Sequence, residues 1–164
     1  VILHARFFEE QLKRRARHEI FPWAASLMPL PLIANGDFGG PETLSGRTDY
    51  FQSVSAVMIG RMAVACPWIF ANWDRPMSVS RPLSVDLASI WNTMYLYIGE
   101  DFPPAVALGR LKMFTKYFAA NFKFGHQFKV DLARAPSLEE IRCRAEAFFS
   151  REPVTVAQPT IAGL

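Results

Sequence analysis

Two glycine-bearing motifs mark where this chain can hold an anion. Asn35-Gly36-Asp37 closes the apolar run that leads into Ile33-Ala34, and Gly60-Arg61 closes Val57-Met58-Ile59. Short apolar runs bounded by proline and glycine read as buried strands of a parallel sheet. A glycine where such a strand ends lets backbone N–H groups approach a ligand closely, and an adjoining arginine clamps a phosphate. Taken singly, a Gly-Arg pair is a surface arginine after a tight turn, and Asp37 is an N-cap for the following turn. Two such ends in succession favour the phosphate reading. A further polar lip, His4-Ala5-Arg6, follows the apolar start Val1-Ile2-Leu3.

The cations cluster. Lys13, Arg14, Arg15 and Arg17 fall within five positions, and Arg110, Lys112, Lys116 and Lys123 form a second group. A net charge of +3 and a pI of about 9.1 permit a polyanion partner without demanding one. Cys66 and Cys143 stand in ordinary surroundings, which suits a reducing compartment and a structural role for both. No His, Cys, Asp and Glu grouping has metal-ligand spacing, and no Ser-His-Asp set stands out. No apolar run reaches the length of a membrane span and no signal segment opens the chain, so a cytoplasmic location is expected. The chain starts without methionine and in strand character, as though cut from something longer. At 51% apolar and 13% aromatic, 164 residues suffice for a globular core.

Several elements must position these groups. Val1 to Leu3 is the end of a strand. Phe7 to Arg17 is charged and helix-permissive until Ile20-Phe21-Pro22-Trp23 breaks it, because the residue before a proline is disfavoured in a helix. A helical remnant over 23–28 precedes Pro29 and Pro31, which introduce the next strand. Ser45-Gly46 keeps any helix before Val57 short or irregular, since glycine in a helix costs about 1 kcal/mol relative to alanine. Val57 to Ile59 is the last strand, and a helix over 62–73 is interrupted at Pro67. The polar stretch 74–81 reads as a linker and domain boundary. Pro82 then suits a first helical position. Leu83, Leu87, Ile90, Trp91, Met94 and Ile98 recur at helical spacing, with Gly99 as the stop. Pro103-Pro104 opens a second helix with Leu108, Leu111, Phe114, Phe118 and Phe122 on one side, ending near Gly125. A short periodic piece surrounds Phe128 and Leu132. Ser137 to Glu140 is a capping box for a final helix over 138–150, and 151–164 is a loose tail.

The order Ile-Ala-Asn-Gly-Asp over 33–37, Val-Met-Ile-Gly-Arg over 57–61 and then Pro67-Trp68-Ile69-Phe70 resembles the tRNA-dihydrouridine synthase family. His4-Ala5-Arg6 with a basic stretch behind it keeps the family's order, and the resemblance runs from Val1 to about Phe149. It implies an α/β fold: the C-terminal part of a TIM (β/α)8 barrel followed by a small all-α helical bundle. The last three strands of the barrel would occupy 1–73, the linker 74–81, a tRNA-cradling helical domain 82–150 and the tail 151–164. In such a barrel the loops after the last two strands hold an anion. FMN is the implied cofactor, NADPH its reductant, and the implied reaction reduces the C5=C6 bond of uridine in tRNA.

By the same resemblance His4, Asn35, Gly36, Asp37, Gly60 and Arg61 bind the cofactor. Gly60 and Arg61 would hold the flavin phosphate, and His4 would donate a hydrogen bond near the phosphate and ring edge. Arg6, Lys13, Arg14, Arg15 and Arg17 leave the C-terminal end of a barrel strand, the face where substrate sits. They are assigned to tRNA phosphates, with Arg110, Lys112 and Lys116 extending that surface. No catalytic residue and no metal is assigned. The family's acid is a cysteine of a Cys-Pro pair on an earlier loop; Cys66-Pro67 instead follows Gly-Arg, so the role is not carried onto it. The acid is expected upstream of Val1, and the chain alone is expected to be inactive.

Two other readings fit the same residues. Another FMN-dependent barrel oxidoreductase, acting on a small molecule, shares the phosphate corner but not the Pro67–Phe70 helix or the appended bundle. A non-catalytic RNA-binding remnant would use the basic clusters alone. An open part-barrel also leaves strand edges and apolar faces bare, so self-association is expected.

Overall fold

A computed structural model describes residues 1–10, 14–45, 48–73 and 85–161, apart from the side chains of Thr48 and Asn72. Lys13, the expected linker over 74–81 and the expected helix start at Pro82 and Leu83 lie outside these described residues. The described residues form two compact units.

The first unit takes in the described parts of 1–63 and 67–73. At its centre β1 (Ile2–His4), β2 (Ile33–Asn35) and β3 (Ala56–Met58) form a parallel sheet in chain order. The register sets Leu3 beside Ala34 and Ala34 beside Val57, and it sets His4, Asn35 and Met58 in one row. All three strands therefore deliver their following polar residues to the same edge. The connection from β1 to β2 carries α1 (Phe21–Leu27), and that from β2 to β3 carries α2 (Glu42–Ser45) and α3 (Thr48–Phe51). Ala5, Phe21, Ala24, Leu32, Ala34 and Phe38 make the core. Only the middle strand is well buried: Ala34 is inaccessible, whereas Ile2 and Met58 on the flanking strands are 56% and 43% exposed.

Two local expectations are corrected. Phe7 to Arg17 forms no helix among the described residues beyond a single 3₁₀ turn at Phe8–Glu10. Its backbone is tied elsewhere, with the Arg17 N–H donating to the Ala5 carbonyl at 2.7 Å. Pro22 does not break a helix but sits in the first turn of α1, where its missing N–H has no intrahelical partner to lose. The interruption at Pro67 is seen: α4 (Arg61–Ala65) ends and a 3₁₀ segment Pro67–Asn72 follows.

The second unit comprises 64–66 and 85–161 of the described residues. Its helices are α5 (Leu87–Asp101), α6 (Pro104–Phe118), α7 (Gly125–Ala133) and α8 (Leu138–Phe149). Asp86 caps α5 by accepting from the Ser89 N–H at 3.0 Å. Gly99 does not stop that helix, which runs on to Asp101; the stop belongs to Phe102, which precedes Pro103 and is held extended. Trp91 on α5 donates its indole N–H to Thr115 Oγ1 on α6 at 3.0 Å in the buried interface. Gly125 opens α7 rather than closing α6. The chain passes so near the Ala119 carbonyl there that a Cβ would lie 1.8 Å from its oxygen.

Phe122 sits among Phe118, Phe128, Phe148 and Phe149, with ring centres 5.1–5.9 Å away. Buried Asn121 donates to the Ala65 and Phe118 carbonyls, each at 2.8 Å, and accepts from Cys66 Sγ at 3.4 Å. These bonds tie Ala65 and Cys66 to the helices. Half of the expected capping box forms: Ser137 Oγ accepts from the Glu140 N–H at 3.1 Å, while the Glu140 carboxylate pairs with Arg144 at 2.7 Å. The expected loose tail is partly fixed. Lys123 N–H donates to the Val154 carbonyl and Val156 N–H to the Asn121 carbonyl, both at 2.9 Å.

Candidate functional site

The common edge of the sheet gathers His4, Arg6, Asp37 and Arg61 into one network. Asp37 follows Gly36 in a left-handed turn, with φ of 124° at Gly36 and 54° at Asp37. That turn swings the Asp37 carboxylate back over the strand ends. Arg6 Nη2 lies 2.5 Å from both of its oxygens, Arg61 Nη2 lies 3.4 Å from Oδ1, and the Ala16 N–H donates to Oδ2 at 2.8 Å. Arg6 also donates through Nε to the Arg14 carbonyl at 2.6 Å and through Nη1 to His4 Nε2 at 2.9 Å.

The protonation states follow. Arginine only donates, so His4 Nε2 accepts and the imidazole keeps its proton on Nδ1. Partial burial, then the charge of Arg6, lowers the His4 pKa against the opposing pull of Asp37, with Arg61 adding to the lowering. The ring is neutral, with Nδ1–H as its donor. Burial alone would raise the Asp37 pKa, but the Ala16 N–H, the Arg6 hydrogen bond and the charges of Arg6 and Arg61 outweigh it and hold the carboxyl below its ordinary value. Two guanidiniums against one carboxylate leave one positive charge in excess.

Gly36 is required by space as well as by φ. A Cβ there would lie 2.7 Å from the Ala16 Cβ and 3.2 Å from His4 Cδ2. Gly60, by contrast, has nothing within 4 Å of a Cβ position. Asn35 holds the rim together through Nδ2, 3.0 Å from Met58 Sδ.

The family profile described as dihydrouridine synthase (Dus) matches residues 1–151. The chain belongs to the dihydrouridine synthase family. The tRNA-dihydrouridine synthase B of Proteus vulgaris is 25% identical over 157 residues, covering 91% of this chain and 48% of that protein. The chain thus spans about half the length of the curated relative it matches. The parallel α/β arrangement of the first unit is consistent with part of the barrel expected of a dihydrouridine synthase.

Of the residues assigned to the cofactor, the structure brings His4, Asp37 and Arg61 together and keeps Asn35, Gly36 and Gly60 on the same rim. Arg6, assigned to RNA, is spent inside the network: its side chain is 5% exposed, with Nε, Nη1 and Nη2 all engaged. Arg14 and Arg15 are exposed. Arg17 pairs with Glu10 and lies over the Phe7 ring, 4.4 Å from its centre. On α6, the spacing of Lys112 and Lys116 puts them on one face and Arg110 off it; Arg110 lies over the Phe102 ring at 5.5 Å. Burial raises the Cys66 thiol to about 11, and Cys143 is exposed on α8.

Sequence reasoning passed over His18, which is 5% exposed and whose Nε2 lies 2.6 Å from the Gly36 carbonyl. Its partner is a main-chain atom far along the chain, so no local spacing announces it. Among the described residues no group of three or more His, Cys, Asp and Glu is placed to hold a metal, and no helix is long and apolar enough to cross a membrane.

Proposed function

We propose that this chain is the C-terminal part of an FMN-dependent tRNA-dihydrouridine synthase, with the closing strands of a TIM barrel and a helical domain that faces tRNA. The convergence of Arg6 and Arg61 on Asp37 beside the Gly36 turn carries this reading. A phosphate group fits that corner. The site has a positive charge in excess, and Arg61 meets Asp37 only at 3.4 Å, so its other donors remain for an anion. His4 Nδ1–H supplies a neutral donor beside it. Arg61, the backbone N–H groups of Gly60 and Arg61, His4 and the Asn35–Asp37 turn would hold FMN. When bound, FMN supplies the hydride for the uridine C5=C6 bond, taken originally from NADPH. Arg6 and Asp37 set Arg61 and His4 in place.

Of the basic segment, the exposed Arg14 and Arg15 would meet tRNA phosphates at the same edge of the sheet, and Lys112, Lys116 and Arg110 would supply a second set. Such contacts give affinity and register rather than sequence choice. Neither thiol of this chain suits the acid role: Cys66 is buried and raised to about 11, and Cys143 lies on the surface of a helix. The chain alone is therefore inactive in uridine reduction. The reading is tested by titrating FMN and, separately, unmodified tRNA into the chain. Quenching of flavin fluorescence together with salt-sensitive tRNA binding is expected. Flavin binding without tRNA affinity would move the chain to a small-molecule oxidoreductase, and tRNA binding without flavin would make it an RNA-binding protein only.

A further inference from the structure

Buried polar groups in folded proteins almost always have partners, and the partner of a buried imidazole shows what that imidazole does. His18 is stacked on Phe38 with ring centres 5.0 Å apart and planes 8° from parallel. Phe21 stacks on it at 5.8 Å, and Phe51 meets it edge-on at 5.4 Å. This aromatic box fixes the ring plane and aims Nε2 at the Gly36 carbonyl, 2.6 Å away. A carbonyl only accepts, so Nε2 carries the proton.

We propose that His18 is the positioning residue of the Asn35–Asp37 corner, holding the Gly36 carbonyl so that the left-handed turn presents Asp37 to Arg6, Arg61 and the Ala16 amide. The turn needs such a hold. Positive φ at two successive residues, one of them Asp37, is a conformation that persists only when its surroundings over-determine it. The same bond docks the basic segment. His18 grips Gly36, Ala16 N–H grips Asp37, Arg17 N–H grips the Ala5 carbonyl, and the Arg14 carbonyl receives Arg6 Nε. Four ties therefore join residues 14–18 to the strand ends, and within that segment His18 is the buried residue. The exposed Arg14 and Arg15 are carried on a segment whose placement depends on the corner beneath it. That this placement serves a cofactor rests on the flavin reading above; the clamp itself does not.

The test compares His18→Phe, which keeps an aromatic plane in the box and removes the donor, with His18→Gln, which keeps a donor and removes the ring. Hydrogen exchange at the Ala16 amide reports the clamp, and flavin fluorescence quenching reports the corner. In H18F, Ala16 is expected to exchange faster by about tenfold or more, and FMN binding to weaken by a similar factor, the equivalent of one lost buried hydrogen bond. H18Q is expected to stay near the parent in both. Parent-like protection of Ala16 in a folded H18F overturns the proposal. If H18F loses its far-ultraviolet circular dichroism, H18Q decides: retained protection supports the clamp and lost protection overturns it. Failure of the flavin reading looks different, because the parent itself would not quench FMN while exchange still separates H18F from H18Q.

Discussion

Arg6 Nη2 stands 2.5 Å from both carboxylate oxygens of Asp37, joining the lip of β1 to the turn after β2. A carboxylate that accepts several charge-assisted hydrogen bonds favours its ionised form. Although burial pushes the other way, the folded pKa of Asp37 lies below its ordinary value of 3.8. The sign for stability follows from linkage. The contribution of this pair is fully present above the ordinary carboxylate pKa and is lost as pH falls through the lower folded value. Asp37→Asn is expected to cost about 1–2 kcal/mol at neutral pH, an amount kept modest by the partial exposure of the carboxylate. Urea unfolding of parent and D37N should show that difference shrinking as pH falls below the ordinary carboxylate range. A difference that stays constant as pH falls well below that range would show that the charge of Asp37 contributes none of it.

Glycines at three places are expected to respond differently to alanine. Gly36→Ala meets both a positive φ and the Ala16 Cβ, and should destabilise by about 2–4 kcal/mol. Gly60→Ala meets nothing within 4 Å and should change stability by no more than about 0.5 kcal/mol. Gly99→Ala, in open space inside α5, should stabilise by about 0.5–1 kcal/mol. Thermal or urea unfolding of the three variants orders them. A G36A variant as stable as the parent would mean that the turn is not held where the structure has it.

The rim was legible in sequence because an apolar run stopped by glycine is a local signal, and β2 and β3 carry it at Asn35-Gly36 and Gly60-Arg61. What the rim does with its charges was not. Arg6 and Asp37 are 31 residues apart, and only the parallel register of β1 on β2 makes them neighbours. Without that register Arg6 reads as a free cation facing RNA. The helix ends failed for a related reason. Gly99 carries a weak penalty, whereas Pro103 imposes a steric one on Phe102, and the steric one sets the end of α5. Gly125 reads as a terminator in sequence because its real constraint, the Ala119 carbonyl, comes from how α6 turns into α7. The tail has no periodicity, yet two backbone bonds to the 121–123 turn fix part of it, and such bonds leave no trace in side-chain pattern.

The two thiols should differ in reactivity. Cys66 is 6% exposed, donates to Asn121 Oδ1 and has its pKa raised to about 11 by burial. The thiolate is the reactive form. Brief treatment with iodoacetamide near pH 8, read by peptide mass spectrometry, is expected to modify Cys143 well before Cys66. Asn121→Ala should reverse much of that protection, since the same amide also holds the Ala65 and Phe118 carbonyls. Rapid labelling of Cys66 in the folded parent would contradict the burial of this thiol and reopen it as a candidate acid.

The basic segment divides into cations that are free to meet a polyanion and cations that are not. Arg14 and Arg15 are exposed, with Arg14 making only a 4.0 Å approach to Glu10. Arg17 is held by Glu10 and by the Phe7 ring, and Arg6 by Asp37. A phosphate contact appears in the salt dependence of binding, with a slope of log affinity on log salt that falls by about 1 per contact removed. The double variant Arg14→Ala, Arg15→Ala is expected to lower tRNA affinity and to reduce that slope by about 1–2, with unfolding unchanged. Arg17→Ala should instead lower stability, by about 0.5–1.5 kcal/mol from the lost ion pair and ring contact, and leave the slope nearly as it was. Filter binding or fluorescence anisotropy at a series of salt concentrations measures both. If R17A flattens the slope and the double variant does not, the exposed and committed arginines have exchanged roles, and the segment meets RNA by releasing its pairs rather than by the charges it leaves in water.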